Sequence, residues 1–169
     1  MKIRTLSLAT ILALGLTSGV LFAKDITVNA PGQFPEGVEY NLKTGDFYLG
    51  SLSAKSIIKI DKESNVSAFT KTTPLQTAGI HIDYNRDELY AAGLNREEAF
   101  DKDPNTKGNA NLFIYEPSNG KLKANIDLTT VNPNQEAYFA NDITSDKNGN
   151  IYISDFKAGA VYKVDKNNT

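Results

Sequence analysis

The chain has 169 residues, 18 basic and 20 acidic, with one histidine, one methionine, no tryptophan and no cysteine. A formal charge of −2 gives no electrostatic reason to expect nucleic acid or an anionic membrane surface as partner. The lack of cysteine excludes disulfides and cysteine nucleophiles, so stability has to come from packing, or from packing plus a bound ion.

Residues Met1 to Ala23 read as a secretory signal peptide. Lys2 and Arg4 make a short basic start, Leu6 to Phe22 run without charge, and Ala23 offers a small residue for cleavage before Lys24. The alternative, a membrane anchor, needs roughly 20 apolar residues, and this run is shorter and holds Thr10, Thr17 and Ser18. The expectation is export to the periplasm or beyond, with a mature domain over residues 24–169. That domain carries sixteen basic and twenty acidic residues, a formal charge of −4, and no second apolar run that could span a bilayer.

The mature part repeats itself three times. Glu36–Tyr48, Ala78–Tyr90 and Asn141–Tyr152 each open on a short apolar strand, pass a polar turn rich in Gly, Asn or Asp, and close on a hydrophobic residue followed by Tyr. A second match follows each: Ile57–Asp61, Leu112–Glu116 and Val161–Asp165. Val38 and Ile80 lie 42 residues apart and Ile80 and Ile143 lie 63 apart. Two insertions account for the excess, one around Asn95 to Asn109 and one between Glu116 and Asn141. Units of about 40–45 residues made of short strands are the mark of propeller blades.

Taken in chain order, the first blade is predicted to use 37–41, 46–51, 56–61 and 66–70. The second uses 80–84, 88–92, 112–116 and 122–128, and the third 142–145, 151–155 and 160–165. Each strand is rich in Val, Ile, Tyr and Phe and bounded by turn residues. Brief helical turns are expected at 97–100 and 134–137. The third blade lacks a fourth strand, a place that Asp25–Asn29 or another chain would take. The fold expected is therefore all-β, a partial β-propeller of about three four-stranded blades. Three blades do not close a ring, so the flanking sheet faces call for a second copy or for complementing later blades.

Glu36, Ala78 and Asn141 occupy one equivalent position, two before Val38, Ile80 and Ile143. Equivalent positions on successive blades converge on the axis, and a carboxylate and a carboxamide there are hard oxygen donors suited to calcium. Two such donors fall short of the six to eight oxygens that calcium takes. Asp142 is expected to point elsewhere, because side chains alternate along a strand. His81, the only histidine, has no second histidine for a shared metal site and reads as a packed or exposed structural residue. No Gly-x-Ser-x-Gly elbow accompanies it. The turn Asp146–Asn150 resembles the start of a calcium loop but lacks the twelfth-position glutamate, so a hairpin explains it. Tyr48, Tyr90, Tyr115, Tyr152 and Tyr162 read as packing between strands. The charged segment from Asn95 to Asn109 reads as solvated, with the option of leaning over the channel mouth.

Pro35-Glu-Gly-Val-Glu-Tyr-Asn41 and Ala140-Asn-Asp-Ile-Thr-Ser-Asp-Lys-Asn-Gly-Asn-Ile-Tyr-Ile-Ser-Asp155 resemble the family of senescence marker protein, gluconolactonase and luciferin-regenerating enzyme. The resemblance runs from about Gly32 to Asp165. It implies a six-bladed propeller with a divalent ion, usually calcium, in its central channel. It implies Glu36 as the acidic metal ligand of the first blade and Asn141 as the channel asparagine near ion and substrate. The activity implied is metal-dependent hydrolysis of a small-molecule lactone or related ester. The family's later asparagine and its aspartate base would lie on blades four and five, beyond Thr169. The expectation is accordingly an enzyme arc that is incomplete as a lone chain. The alternative is a non-catalytic exported propeller fragment that serves as a binding module or is a remnant.

Overall fold

The computed structural model describes residues 26–100, 103 and 105–167. The expected signal peptide lies outside the described residues. Among the described residues, eleven strands form three antiparallel sheets. The first holds β1 (Pro35–Tyr40), β2 (Phe47–Ser51), β3 (Ile58–Ile60) and β4 (Val66–Ala68), in that order. The second holds β5 (Gln76–Asp83), β6 (Glu88–Leu94), β7 (Ala110–Tyr115) and β8 (Leu122–Asp127). The third holds β9 (Ala140–Ser145), β10 (Ile151–Asp155) and β11 (Ala160–Val164). Each sheet is an up-and-down meander, and the leading strands pack side by side, β1 on β5 and β5 on β9. The sheets are therefore three successive blades, with β1, β5 and β9 innermost.

Alternating side chains build the contacts between blades. On the second blade Leu89, Ala91, Phe113 and Tyr115 pack with Tyr48 and Ile57 of the first. The intervening Tyr90, Ala92, Leu112 and Ile114 pack with Ile143, Ile151, Ile153 and Tyr162 of the third. The middle blade is thus buried on both faces, and β6 and β7 are buried along their whole length. Four of the five recurrent tyrosines lie in these seams, as expected. The fifth, Tyr152, is half-buried and donates its hydroxyl to Asp146 at 3.1 Å. Tyr90 donates to Glu88 at 3.0 Å, and burial, reinforced by the Glu88 charge, pushes its phenol far up, so it stays protonated. Arg86 locks the middle blade to the third, donating to the carbonyls of Gly149 (3.2 Å) and Lys166 (3.0 Å) while it pairs with Glu88 (2.8 Å).

The hairpins close as their residues dictate. In Asp146–Asn150 the Asp146 carboxylate accepts from the backbone N–H of Asn148 and Asn150 and from the Asn150 side chain, while Gly149 takes a φ of +82°. These bonds, led by the Asn150 side chain, hold the Asp146 pKa down at about 2. A depressed carboxylate favours the folded turn above its ordinary range, and the effect is lost as pH falls through about 2. We expect an NMR titration of Asp146 to show its midpoint near that value, and Asn150→Ala to move it back toward the ordinary carboxylate range.

Three expectations are corrected. No helix forms at 134–137; a 3₁₀ turn lies instead at Leu128–Thr130, where the Asp127 carboxylate caps the Thr129 N–H at 2.9 Å. Pro133 restricts Asn132 to non-helical backbone just ahead of the expected turn. Residues 26–29 form no strand, so the third sheet has three strands among the described residues. The inner strands begin earlier than predicted, at Pro35, Gln76 and Ala140, because each carries a bulge that hides its first pairs from a simple alternation. The helical turn near 97–100 is present as α1 (Arg96–Ala99), capped by Asn95.

Candidate functional site

The bulges define the site. Register shifts occur between Glu36 and Val38, between Thr77 and Ile80, and at Asn141, where Asp155 pairs with Ala140 and Ser154 with Asp142. All three lie where the inner strands begin, here termed the entry end. A bulge re-aims the side chain beside it, and the same device recurs at one level on three neighbouring blades.

Close backbone contact links these levels. A Cβ on Gly37 would lie 2.6 Å from the Ala78 carbonyl oxygen, and Gly37 has a φ of +75°. A Cβ on Gly79 would lie 2.7 Å from Asp142 Cα and 2.9 Å from the Asn141 carbonyl oxygen. Only glycine lets the three strands approach so closely. Glu36, Ala78 and Asn141 therefore sit on consecutive inner strands, with β5 between the two polar ones.

Glu36 is exposed and Asn141 half-buried. Among the described residues, neither side chain meets a hydrogen-bond or ion-pair partner. Two oxygen-bearing side chains thus stand without a protein partner at equivalent places of the repeat. Ala78 contributes no donor side chain; its methyl is buried with Leu52, Leu94, Ala99 and Phe139. Asp142 lies on the same side of the third sheet as Thr144 and Ser154, as alternation along the strand expects. It is exposed, its Oδ1 accepts from the Ile143 N–H at 2.9 Å, and its carboxylate lies against Gly79. Among the described residues, no three His, Cys, Asp or Glu side chains gather into one cluster.

A second polar level lies three residues further along the inner strands. The Glu39 carboxylate accepts from the Ile82 N–H at 3.1 Å and stands 4.0 Å from His81 Nδ1. On its other side, His81 Nε2 is 3.0 Å from Ser145 Oγ. His81 thus reaches across to the third blade with the first blade's carboxylate at its back, which agrees with a structural histidine. At 4.0 Å the Glu39 carboxylate is beyond hydrogen-bond reach of the ring, and one of its oxygens is already engaged by backbone, so no relay is complete. Sequence reasoning missed Glu39 and Ser145 as partners of His81. The available signal was the register, since Glu39 and His81 each lie three residues after Glu36 and Ala78.

The described residues of the segment 95–109 run over the entry end. Asp101, Lys102 and Pro104 of this segment lie outside the described residues. Ala99 packs with Ala78 and Phe139, Glu97 accepts from Gln76 at 2.8 Å, and the Lys107 carbonyl accepts from the Tyr138 N–H at 2.7 Å. A cavity of about 440 Å³ lies at the opposite end between the hairpins of the first two blades. Its charged residues pair among themselves, Lys59 with Asp46 at 3.6 Å and Lys43 with Asp87 at 3.3 Å. It has no connection with Glu36 or Asn141, and the converging bulges are the better candidate on chemical grounds.

No family model matches the sequence, and no curated protein shows a significant match. Solved structures do resemble it. A catalytically inactive virginiamycin B lyase from Staphylococcus aureus, solved with quinupristin, matches with a TM-score of 0.54 at 15% identity, over 84% of this chain and 44% of that one. A luciferin-regenerating enzyme matches with a TM-score of 0.52 at 12% identity, over 82% of this chain and 45% of that one. The chain spans less than half the length of either of these two structures. At these identities the likeness concerns the fold: the three sheets are part of a β-propeller.

Proposed function

We propose that these blades form the metal-bearing arc of an exported propeller hydrolase that acts on a lactone or related ester. The family proposed is that of senescence marker protein, gluconolactonase and luciferin-regenerating enzyme. The observation that carries this reading is the pair of unengaged oxygen donors, Glu36 and Asn141, at the bulged entry ends of the first and third inner strands. The donor set fits calcium: one carboxylate and one carboxamide oxygen, with no sulfur or imidazole at that level. The remaining oxygens of a full shell come from water and from blades beyond these three. A divalent ion there, when bound, polarises a carbonyl and lowers the pKa of an attacking water. Glu36 contributes the fixed negative charge, and the Asn141 amide orients a substrate oxygen. The general base comes from outside these blades.

The partner proposed is the rest of a ring, either later blades or a second copy. Its support is the free face of the first blade, where Val38, Tyr40 and Leu42 lie 64%, 47% and 75% exposed. Export to the periplasm or medium rests on the sequence of Met1–Ala23 and agrees with a calcium-dependent site.

Thermal or urea unfolding with calcium titration tests the site. At a calcium concentration tenfold above the dissociation constant, stability should rise by about 1.4 kcal/mol. Glu36→Gln should abolish that rise while leaving the metal-free stability within about 0.5 kcal/mol, as expected of an exposed residue. A wild-type chain whose unfolding ignores calcium contradicts the metal-site reading.

A further inference from the structure

The chain in excess of the blade repeat is spent at one place. The described residues of the insertion at 95–109 and the connection leading to β9 run across the entry end and fasten to each other. Besides the Tyr138–Lys107 bond, a Cβ on Gly108 would lie 2.9 Å from the Tyr138 carbonyl oxygen and 3.1 Å from Ala99 Cα. Together with the turn after β10 they assemble three phenylalanines. Phe139 is buried, with Phe156 at 4.8 Å and Phe100 at 5.5 Å between ring centroids. The two outer rings are each 55% exposed. The Lys157 ammonium lies 4.6 Å from the Phe100 ring centroid. Phe139 is two residues before Asn141, so this aromatic shelf adjoins the third blade's bulge.

We propose that Phe100, Phe156 and Lys157 form the substrate-selecting wall of the Glu36–Asn141 site and favour lactones or esters that carry an aromatic ring. This rests on the hydrolase reading above. The size of the shelf commits it to a small molecule. A phenylalanine spans ~150–250 Å², so two half-exposed rings offer on the order of 200 Å², against about 800 Å² per partner in a protein interface. Large rings left in water beside polar donors match the make-up of small-molecule sites, where apolar walls hold a ligand and a few polar groups orient it. An aromatic ring of the substrate lies against Phe156 and the open side of Phe100. Lys157, over one face of Phe100, complements a carbonyl or carboxylate oxygen on the same molecule.

The full chain is titrated with dihydrocoumarin, an aryl lactone, and with δ-valerolactone, which lacks the ring, by saturation-transfer NMR. Calcium-dependent unfolding is followed in parallel. Dihydrocoumarin should bind at least about tenfold more tightly. The double variant Phe100→Ala/Phe156→Ala should remove that preference and keep the calcium response. Phe100→Leu/Phe156→Leu, which retains apolar volume, should also lose the preference while folding normally. Equal binding of the two lactones, or a preference that survives both double variants, overturns the wall. A preference that needs both rings in a chain blind to calcium upholds the wall and overturns the metal-site reading instead.

Discussion

Asp155→Ala is expected to destabilise the chain by about 4 kcal/mol, the largest single-residue effect the fold predicts. The residue is 1% exposed at the end of β10. Its Oδ1 accepts from the backbone N–H of Phe139 (2.9 Å), Lys157 (3.1 Å) and Ala158 (2.9 Å), and Tyr162 donates to its Oδ2 at 3.3 Å. One carboxylate thus fastens the start of the inner strand to the turn after the second. Truncation strands the buried Phe139 N–H at about 1–3 kcal/mol and loosens two turn N–H groups that water reaches more easily. The first blade uses the same device in a milder form. Ser51 Oγ accepts from Phe34, Ser53 and Ala54, and Ser51→Ala should cost about 2 kcal/mol. Urea unfolding of both variants measures the difference. A loss below about 1 kcal/mol for Asp155→Ala contradicts its role as anchor of the third blade.

Gly79→Ala is expected to cost about 3 kcal/mol, and Gly50→Ala a similar amount. Neither glycine has a positive φ, so the cost is steric. A methyl at residue 79 would meet Asp142 Cα at 2.7 Å and the Asn141 carbonyl oxygen at 2.9 Å. At residue 50 it would meet the carbonyl oxygens of Ala78 at 2.5 Å and of Glu36 and Thr77 at 2.8 Å. These are backbone atoms, which cannot swing aside as a flexible side chain does, so the inner strands must part. The same denaturant titrations measure the loss. Because that parting displaces Glu36 or Asn141, both variants should also weaken the calcium response, which separates them from a remote destabilisation such as Ser51→Ala.

The blade repeat was legible because it is written in alternation. Leu89 to Leu94 and Ala110 to Tyr115 each serve two seams, and the 42-residue spacing of Val38 and Ile80 survives in the observed strands. What escaped the reading was whatever depends on a neighbour. The bulges shift register without a distinctive composition: Gly37 and Gly79 mark two of them, whereas the third falls on Asn141. The contact of His81 with Ser145 joins residues 64 apart, and nothing local to either predicts it. The helical turn expected at 134–137 did not form, while Asp127 capped a 3₁₀ turn at Leu128–Thr130. Glu36 and Asn141 were singled out from their shared place in the repeat; they lie near the starts of β1 and β9, with β5 between them. Phe100 and Phe156 were passed over as sites, since an isolated aromatic in a turn carries no signal until its partners are known.

The most direct test is a double-mutant cycle on calcium affinity with Glu36→Gln, Asn141→Ala and the combined variant. If both side chains hold one ion, each single change removes most of the affinity and the pair costs clearly less than the two effects together. Strictly additive losses, or an affinity that Asn141→Ala leaves untouched, would mean that the two oxygens do not share an ion and that the converging entry ends do not form the site.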